Sequence, residues 1–281
     1  MNTLFSLRAV AAYAFLWIAL AACDTEEDFP LTGKAGLPSS FEYADGGRFS
    51  FAYADGRLAR ILDPSGSGTD FQYDNGTLSS LSFFPPEGMA DGHGAIEFEK
   101  KTDRLIQVRR SGEPMLSAFQ AEEIALDDHG YPVRITDLGA YEYRGTQEGT
   151  ASIVPLWEGK TFTSLTFDLS NGNLVKREVH NLTDSTLLSS HTYEYTSTPG
   201  MLSGVNLPRW FTGYWSNRQA TQSGPYYRLF FNTGNNLRKE TAFDPASGET
   251  SSATYEYKYG ENGFPRWVST EALPAGARIR Y

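Results

Sequence analysis

Five short segments of this chain repeat one pattern, in which an aromatic strand leads into a tight corner and a second strand. The corners read ADG at 54–56, DNG at 74–76 and SNG at 170–172, with longer variants DDHG at 127–130 and GENG at 260–263. Asn, Asp and Gly tolerate the positive φ that tight hairpins require. Because the segments are irregularly spaced, they favour a meander of successive hairpins over a stack of identical modules.

The residues around these corners alternate with a period of two. In RFSFAY, Phe49, Phe51 and Tyr53 fall on one face of an extended chain, and SLTFDL (164–169) and TYEYKY (254–259) repeat that spacing. Such alternation is typical of half-buried strands. We therefore expect an all-β fold, an antiparallel meander of about 14–18 strands. The meander would form a closed or half-closed, barrel-like curled sheet.

One stretch, residues 198–224, breaks the strand pattern. Its aromatic residues occur at i, i+1, i+4 and i+5, the spacing of one helical face, and Pro208 suits a first helical turn. We expect a short helix or loop plug near 207–216. Exposed rings of this kind stack on sugars or anchor a partner, whereas buried rings would plug one end of the barrel. The candidate ligand-binding residues are Trp210, Phe211, Tyr214 and Trp215.

The amino-terminal residues 1–22 have the pattern of a lipoprotein signal peptide. Arg8 precedes an apolar run, 9–22, that is short for a membrane span but suits a signal-peptide core. The run ends in LAAC, which resembles a bacterial lipobox: a leucine and two small residues precede Cys23, the only cysteine. We expect cleavage before Cys23 and lipidation of its thiol, which would anchor the protein to a membrane.

Residues 23–39 are expected to form an acidic tether, and residues 40–281 a single all-β domain. The tether begins with DTEEDF, which carries four acids in five positions. This cluster resembles the export signal that follows the lipidated cysteine in surface lipoproteins of Bacteroidetes. The resemblance implies an outer-membrane lipoprotein exposed at the cell surface, and the alternative is a membrane anchor that faces the periplasm.

Composition and motifs argue against several function classes. The net charge of −10 would repel nucleic acid. The sequence has no nucleophile elbow, and GKT at 159–161 lacks the first glycine of a phosphate loop, since Val154 occupies that position. We predict no cofactor, no metal site and no enzymatic activity. Carboxylates that are distant in sequence nevertheless leave a glycan hydrolase open.

The histidines do not have the spacing of a metal site. His129 lies in the DDHG corner, where we expect a hydrated turn rather than a bound cation. His180 and His191 flank the segment NLTDSTLLSS and could face each other across a hairpin, although ordinary alternation along strands explains them equally well.

Two of the hairpin units, YADGRL at 53–58 and YDNGTL at 73–78, resemble the YD repeats of Rhs-type proteins, whose strands coil into a hollow shell. The combination of lipobox, acidic tether and scattered hairpins is similar to a group of uncharacterised Bacteroidetes lipoproteins, a domain of unknown function with a porin-like fold. This second resemblance implies an antiparallel, barrel-like sheet. It brings no known activity and no catalytic residues.

These observations predict a lipid-anchored protein of the cell envelope whose domain is a non-enzymatic surface module that binds a glycan or a protein. Its partners would be the membrane, through the lipid on Cys23, and a glycan or an envelope or host protein. One alternative is a structural or assembly component of the outer envelope. A glycan hydrolase is the third possibility.

Overall fold

Seventeen strands and one helix occupy the part of the chain that the computed structural model describes, which is 36–89, 93–112, 115–145, 151–219 and 234–281. The strands are β1 Ser40–Tyr43, β2 Arg48–Ala54, β3 Arg57–Leu62, β4 Gly68–Asp74, β5 Thr77–Phe84, β6 Gly94–Thr102, β7 Leu105–Gly112, β8 Met115–Leu126, β9 Pro132–Gly145, β10 Ala151–Glu158, β11 Thr161–Asp168, β12 Asn173–Asn181, β13 Leu187–Pro199, β14 Asn235–Asp244, β15 Glu249–Tyr259, β16 Pro265–Thr270 and β17 Leu273–Arg280. The helix α1 is Arg209–Gln219.

Residues 35–281 form one unit. The predicted signal peptide and Cys23, with the tether up to residue 35, lie outside the described residues. In the described part of the chain, no helix is long and apolar enough to cross a membrane.

The sheet closes on itself because β1 pairs with a strand on each side. Phe41 of β1 lies opposite Ile279 of β17 and also opposite Phe49 of β2. Sixteen antiparallel strands complete this ring, and β10 is the additional strand. The prediction of an all-β, antiparallel, barrel-like meander with one short helix is confirmed.

β10 and β11 pair with different parts of one long strand, β9. Ala151 to Glu158 pair with the second half of β9, and Phe162 to Ser164 pair with its first half. Residues 159–160 therefore separate two strands that run in the same direction along β9. Because only β11 pairs with β12 and so continues the ring, β10 extends beyond the ring.

The hairpin corners have the backbone that the sequence predicts. At the first corner, φ is 51° at Asp55 and 70° at Gly56; at the second, it is 48° at Asn75 and 82° at Gly76. Two successive residues with positive φ define the hairpin turn whose twist matches that of its flanking strands.

The antiparallel order gives the barrel two distinct ends. At the first, which we call the entry end, the chain enters β1 and leaves β17, and Ser39 N–H donates to the Arg280 carbonyl at 2.7 Å. The corners at 54–57 and 74–77 lie at this end, as does the connection from β13 to β14. At the opposite, far end lie the turns 181–187 and 244–249.

The barrel interior is mainly apolar, and its outer face carries ion pairs. The Arg60 guanidinium binds Asp70 (Nη2–Oδ2, 2.8 Å), and the Arg280 guanidinium binds Glu42 at 2.9 Å. Because these pairs are exposed, solvent screens them and they contribute little to stability. Buried apolar residues of the wall include Phe41, Phe49, Phe51, Leu58, Leu78, Leu81, Ile96, Val108, Ile124, Ile135, Leu165, Val268 and Ile279.

Half-buried tyrosines join neighbouring strands at the entry end through their hydroxyls. In each case, a tyrosine on the later strand, or just after it, donates to a main-chain carbonyl on or just before the preceding strand. Tyr53 and Tyr73, which precede the first two corners, are among them. The pairs are Tyr53 to Pro38 (2.8 Å), Tyr73 to Leu58 (3.0 Å), Tyr195 to Leu174 (2.6 Å), Tyr257 to Leu237 (2.8 Å) and Tyr281 to Pro265 (3.2 Å).

Candidate functional site

The four aromatic residues singled out by the sequence lie on α1, inside the barrel. Their exposed fractions are 8% for Trp210, 0% for Phe211, 0% for Tyr214 and 6% for Trp215. The preceding connection adds Met201 and Leu202, which are also buried. The described part of the connection from β13 to β14, residues 200–219, therefore turns inward and packs inside the barrel wall.

Aromatic contacts join α1 to two strands of the barrel wall, β4 and β6. Phe71 of β4 meets Phe211 with 5.9 Å between ring centroids, in an edge-to-face arrangement. Phe98 of β6 lies 4.9 Å from Trp210 and 5.6 Å from Tyr214, again edge to face. Edge-to-face pairs of this kind add stabilisation beyond the area that they bury.

The sequence pattern left two arrangements open: exposed rings that bind a ligand, and buried rings that plug the barrel. The rings are buried, as in the second arrangement. Contact between a ligand and Trp210, Phe211, Tyr214 or Trp215 would require the interior to open. Ligand binding by this cluster therefore stays a prediction. The contacts that the four residues make are packing contacts inside the barrel.

A buried carboxyl group faces the helix from β8. The Tyr214 hydroxyl donates to Glu122 Oε2 at 3.1 Å, and both residues are buried. Burial raises the pKa of Glu122, and the nearby Arg110 partly opposes that shift. Burial likewise raises the pKa of Tyr214, and the Glu122 charge adds to the increase.

A second set of polar residues lies on strands β12, β13 and β14 and contacts α1. Arg177 Nε donates to Asn217 Oδ1 of α1 at 2.7 Å, and both side chains are buried. His191 Nδ1 lies 2.9 Å from Glu240 Oε1. His180 instead stacks on Phe162, so it does not face His191. Since each group has a partner within the fold, these residues are explained by packing.

The DDHG corner is a self-capped turn. Asp127 Oδ1 accepts hydrogen bonds from the His129 and Tyr131 main-chain N–H groups, both at 2.9 Å. Asp128 pairs with Arg104. Among the residues that the structure describes, no cluster of three or more His, Cys, Asp or Glu side chains could hold a metal ion.

An open groove of about 770 Å³ lies at the far end of the barrel, and we call it the rim groove. Three segments that are distant in sequence form it: β9, the junction of β10 with β11, and the end of β12 with its turn. Its lining residues are Asp137, Trp157, Glu158, Gly159, Lys160, Thr161, Asn181 and Thr183. Trp157 is 44% exposed, so its indole is available to a ligand.

Two glycines allow the close backbone crossing beside the rim groove. Gly139 has φ of 99°, and a Cβ there would lie 2.1 Å from the Trp157 carbonyl oxygen. A Cβ on Gly159 would lie 1.8 Å from the Asp137 carbonyl oxygen. Only residues without a side chain fit at this crossing, which separates β10 from β11.

Beside the rim groove, two carboxylates occupy directly opposed positions. Glu122 of β8 pairs in register with Asp137 of β9, and residues paired in this way have Cβ atoms about 5 Å apart. Glu122 is buried and its pKa is raised, partly by the Asp137 charge, whereas Asp137 lines the rim groove. Burial thus differs across a carboxylate pair, as in acid–base pairs of hydrolases.

Sequence patterns did not reveal the rim groove. By its pattern, GKT at 159–161 is only an incomplete phosphate loop, and no motif singles out Asp137 or Trp157. One available signal was VPLWEGKT at 154–161, where Pro155 lies at a register shift within β10 and Gly159 follows the end of that strand, close to a tryptophan. The contribution of Asn181 and Thr183 depends on strand order, which local sequence does not encode.

No protein-family model matches this chain, and no curated protein matches it significantly. Among solved structures, the chain is similar to a porin-like protein from Bacteroides vulgatus, with a TM-score of 0.36 and 11% identity over 87% of this chain and 97% of the other. It is also similar to a porin-like protein from Bacteroides uniformis, with a TM-score of 0.31 and 13% identity over 88% and 98%. At these identities, neither likeness speaks to ligand or activity.

Proposed function

We propose that this protein is a lipid-anchored module of the cell envelope that binds a ligand at its surface without catalysing a reaction. Cys23 would carry the lipid, and the acidic tether would lead to the outer face of the outer membrane. The observation that carries the proposal is the filling of the barrel by α1. Because Phe211 and Tyr214 occupy the interior, a ligand would meet the surface rather than pass through a pore.

The two ends of the barrel suit this role. The tether joins the barrel where the chain enters β1, at the entry end. The rim groove lies at the far end, beside the turn at 181–187. An anchor at one end leaves the other available to the medium. The charged outer face supports a barrel that stands in water above the lipid.

Labelling and protease shaving of cells test the anchor and the display. We expect the protein to incorporate a radiolabelled fatty acid, and a Cys23→Ser variant to lose the label and leave the membrane fraction. Protease added to intact cells should degrade the native protein. A protein that is unlabelled, or that is protected until the envelope is opened, would contradict the proposal.

A hydrolase is the second candidate, and the opposed Glu122 and Asp137 carboxylates favour it. If a polysaccharide that binds is also cleaved, reducing ends will accumulate. Glu122→Gln and Asp137→Asn should then each abolish cleavage while the polysaccharide is still bound. Cleavage with this sensitivity would replace the non-enzymatic proposal, whereas binding without cleavage would support it.

A further inference from the structure

We infer that the rim groove is a binding site for an uncharged glycan, with Trp157 as the surface on which a sugar ring stacks. This inference rests on the proposed surface-binding function and names the ligand class and the residues. The rim groove, at about 770 Å³, is of the size that holds a few sugar rings, since ligand pockets are typically about 300–1,000 Å³.

Trp157 supplies the apolar surface that a sugar ring requires. The indole offers a large rigid face and loses little conformational entropy on binding. Of its neighbours in the rim groove, Glu158, Lys160 and Thr183 are exposed, and Thr161 and Asn181 are half-buried. One aromatic face surrounded by hydrogen-bonding groups matches a sugar, which has apolar C–H faces and polar edges.

Two of the polar side chains are already oriented by their own backbone. Asp137 Oδ1 accepts from the Gly139 N–H at 2.9 Å, so its second oxygen is left to accept from a ligand. Asn181 Oδ1 accepts from the Thr183 N–H at 2.8 Å, so its amide N–H groups are left to donate. Side chains that are held in place before binding lose less entropy when a ligand arrives.

The charges of the rim groove favour an uncharged glycan over an acidic one. Asp137 and Glu158 outnumber Lys160, and the whole chain has a net charge of −10. An anionic polysaccharide would therefore be repelled at long range.

Leu156 provides a matched control for Trp157. The two residues are adjacent on β10 and equally exposed, at 43% and 44%, but only Trp157 lines the rim groove. A protein partner that docked on the apolar side chains of β10 would contact Leu156 and also Ile153, which is 54% exposed. A glycan in the rim groove would depend on Trp157 alone.

The test uses the mature lipidated chain in detergent micelles. The probes are the uncharged polysaccharides laminarin, xyloglucan, galactomannan and glycogen, with polygalacturonate as the acidic comparison. Binding is measured by affinity electrophoresis and by quenching of tryptophan fluorescence. We expect at least one uncharged probe to bind and polygalacturonate not to bind. Trp157→Ala should weaken binding about tenfold or more, and Asn181→Ala should weaken it less.

Leu156→Ala should leave the affinity within about twofold of the native value, which corresponds to under about 0.5 kcal/mol. Several results would overturn the inference: no binding across the uncharged panel, binding that survives Trp157→Ala, or equal losses from Trp157→Ala and Leu156→Ala. The fatty-acid and shaving experiments separate the two proposals. A lipidated, displayed protein that binds no glycan would overturn the inference of a glycan site in the rim groove and leave the proposed anchoring and display unaffected.

Discussion

The hydroxyl of Tyr73 donates a hydrogen bond to the main-chain carbonyl of Leu58, 3.0 Å away on the adjacent strand. The ladder between β3 and β4 extends only from Arg60 and Asp70 toward the far end. Tyr73 therefore joins the two strands beyond the last pair of that ladder. Four further tyrosines make equivalent contacts around the same end.

Tyr73→Phe removes this contact and keeps the ring. Since a hydrogen bond of this kind contributes about 1 kcal/mol net, we expect the free energy of unfolding to fall by about that amount in urea titrations. Tyr131→Phe is the comparison for the loss of a tyrosine hydroxyl, because Tyr131 makes none of these strand-joining contacts. Equal losses in the two variants would show that the contact contributes nothing.

The same tyrosines predict alkaline unfolding. Burial raises the pKa of Tyr73 to about 12, and it also raises the pKa of Tyr53, Tyr195, Tyr257 and Tyr281 above the ordinary value of 10. Folding therefore favours the neutral phenol. That contribution is complete below pH 10 and is lost as the pH rises through the folded values. We expect circular dichroism and tyrosinate absorbance to change together above pH ~10. Ionisation at pH 10 in a chain that stays folded would contradict the prediction.

The raised pKa of Glu122 also predicts that stability falls as the pH rises, but at a lower pH than for the tyrosines. Its folded pKa is raised above 4.5 by burial. The stability that it contributes is complete below that pH and falls as the pH rises through the folded value. Glu122→Gln keeps an acceptor for Tyr214 and removes the buried charge. We expect the variant to be more stable than the native protein at pH ~7 and equal to it at pH ~4.

Thermal unfolding across that pH range measures the difference. Glu123→Gln, at the next position of β8, serves as the comparison for the loss of one carboxylate. A Glu122→Gln variant whose stability relative to the native protein did not change with pH would show that the carboxyl group is not destabilised by its surroundings.

Phe211→Ala should remove a fully buried packing contact of α1. The ring is fully buried and meets Phe71 and Phe98 edge to face. Phe-to-Ala changes in packed interiors cost about 3–5 kcal/mol, and we expect a loss in this range by chemical denaturation. Trp157→Ala should change stability by less than about 0.5 kcal/mol, because the side chain is exposed. A small effect of Phe211→Ala would show that α1 is loosely held.

Gly139→Ala tests the crossing beside the rim groove. The new methyl would meet the Trp157 carbonyl, and φ of 99° would add strain. Gly46 has a similar φ of 90° with nothing within 4 Å of its Cβ position, so Gly46→Ala measures the φ cost alone. We expect Gly139→Ala to be the more destabilising by more than about 1 kcal/mol. Equal costs would mean that the end of β10 can move away from β9 freely.

Local sequence predicted the hairpins because the residues at the corners determine the backbone there. Asp55 and Gly56 tolerate positive φ wherever they occur, so their turn could be predicted without the rest of the chain. Closure of the barrel could not be predicted in this way. It depends on Phe41 meeting Ile279, a contact between residues at opposite ends of the domain. The partner of Tyr73 was hidden for the same reason, since Leu58 belongs to the preceding hairpin.

For the same reason, the candidate sites could be predicted from the sequence only in part. The spacing of Trp210 to Trp215 predicted a helix, but periodicity does not reveal whether an aromatic face meets solvent or a surrounding wall. The rim groove was beyond reach because Asp137, Trp157 and Asn181 come together only through strand order. A lone exposed tryptophan has no local signature that separates it from one in the core.

The contact between Ser39 and Arg280 makes the barrel a cycle in which no hairpin is structurally first. The two ends of the domain could be joined, and new ends opened at a far-end turn such as 244–249, with every strand keeping the neighbours that it has now. A chain rearranged in this way would have its new ends at the far end of the barrel, the end that holds the rim groove. An attachment at the amino terminus, such as the proposed lipid anchor, could then hold the barrel by either end.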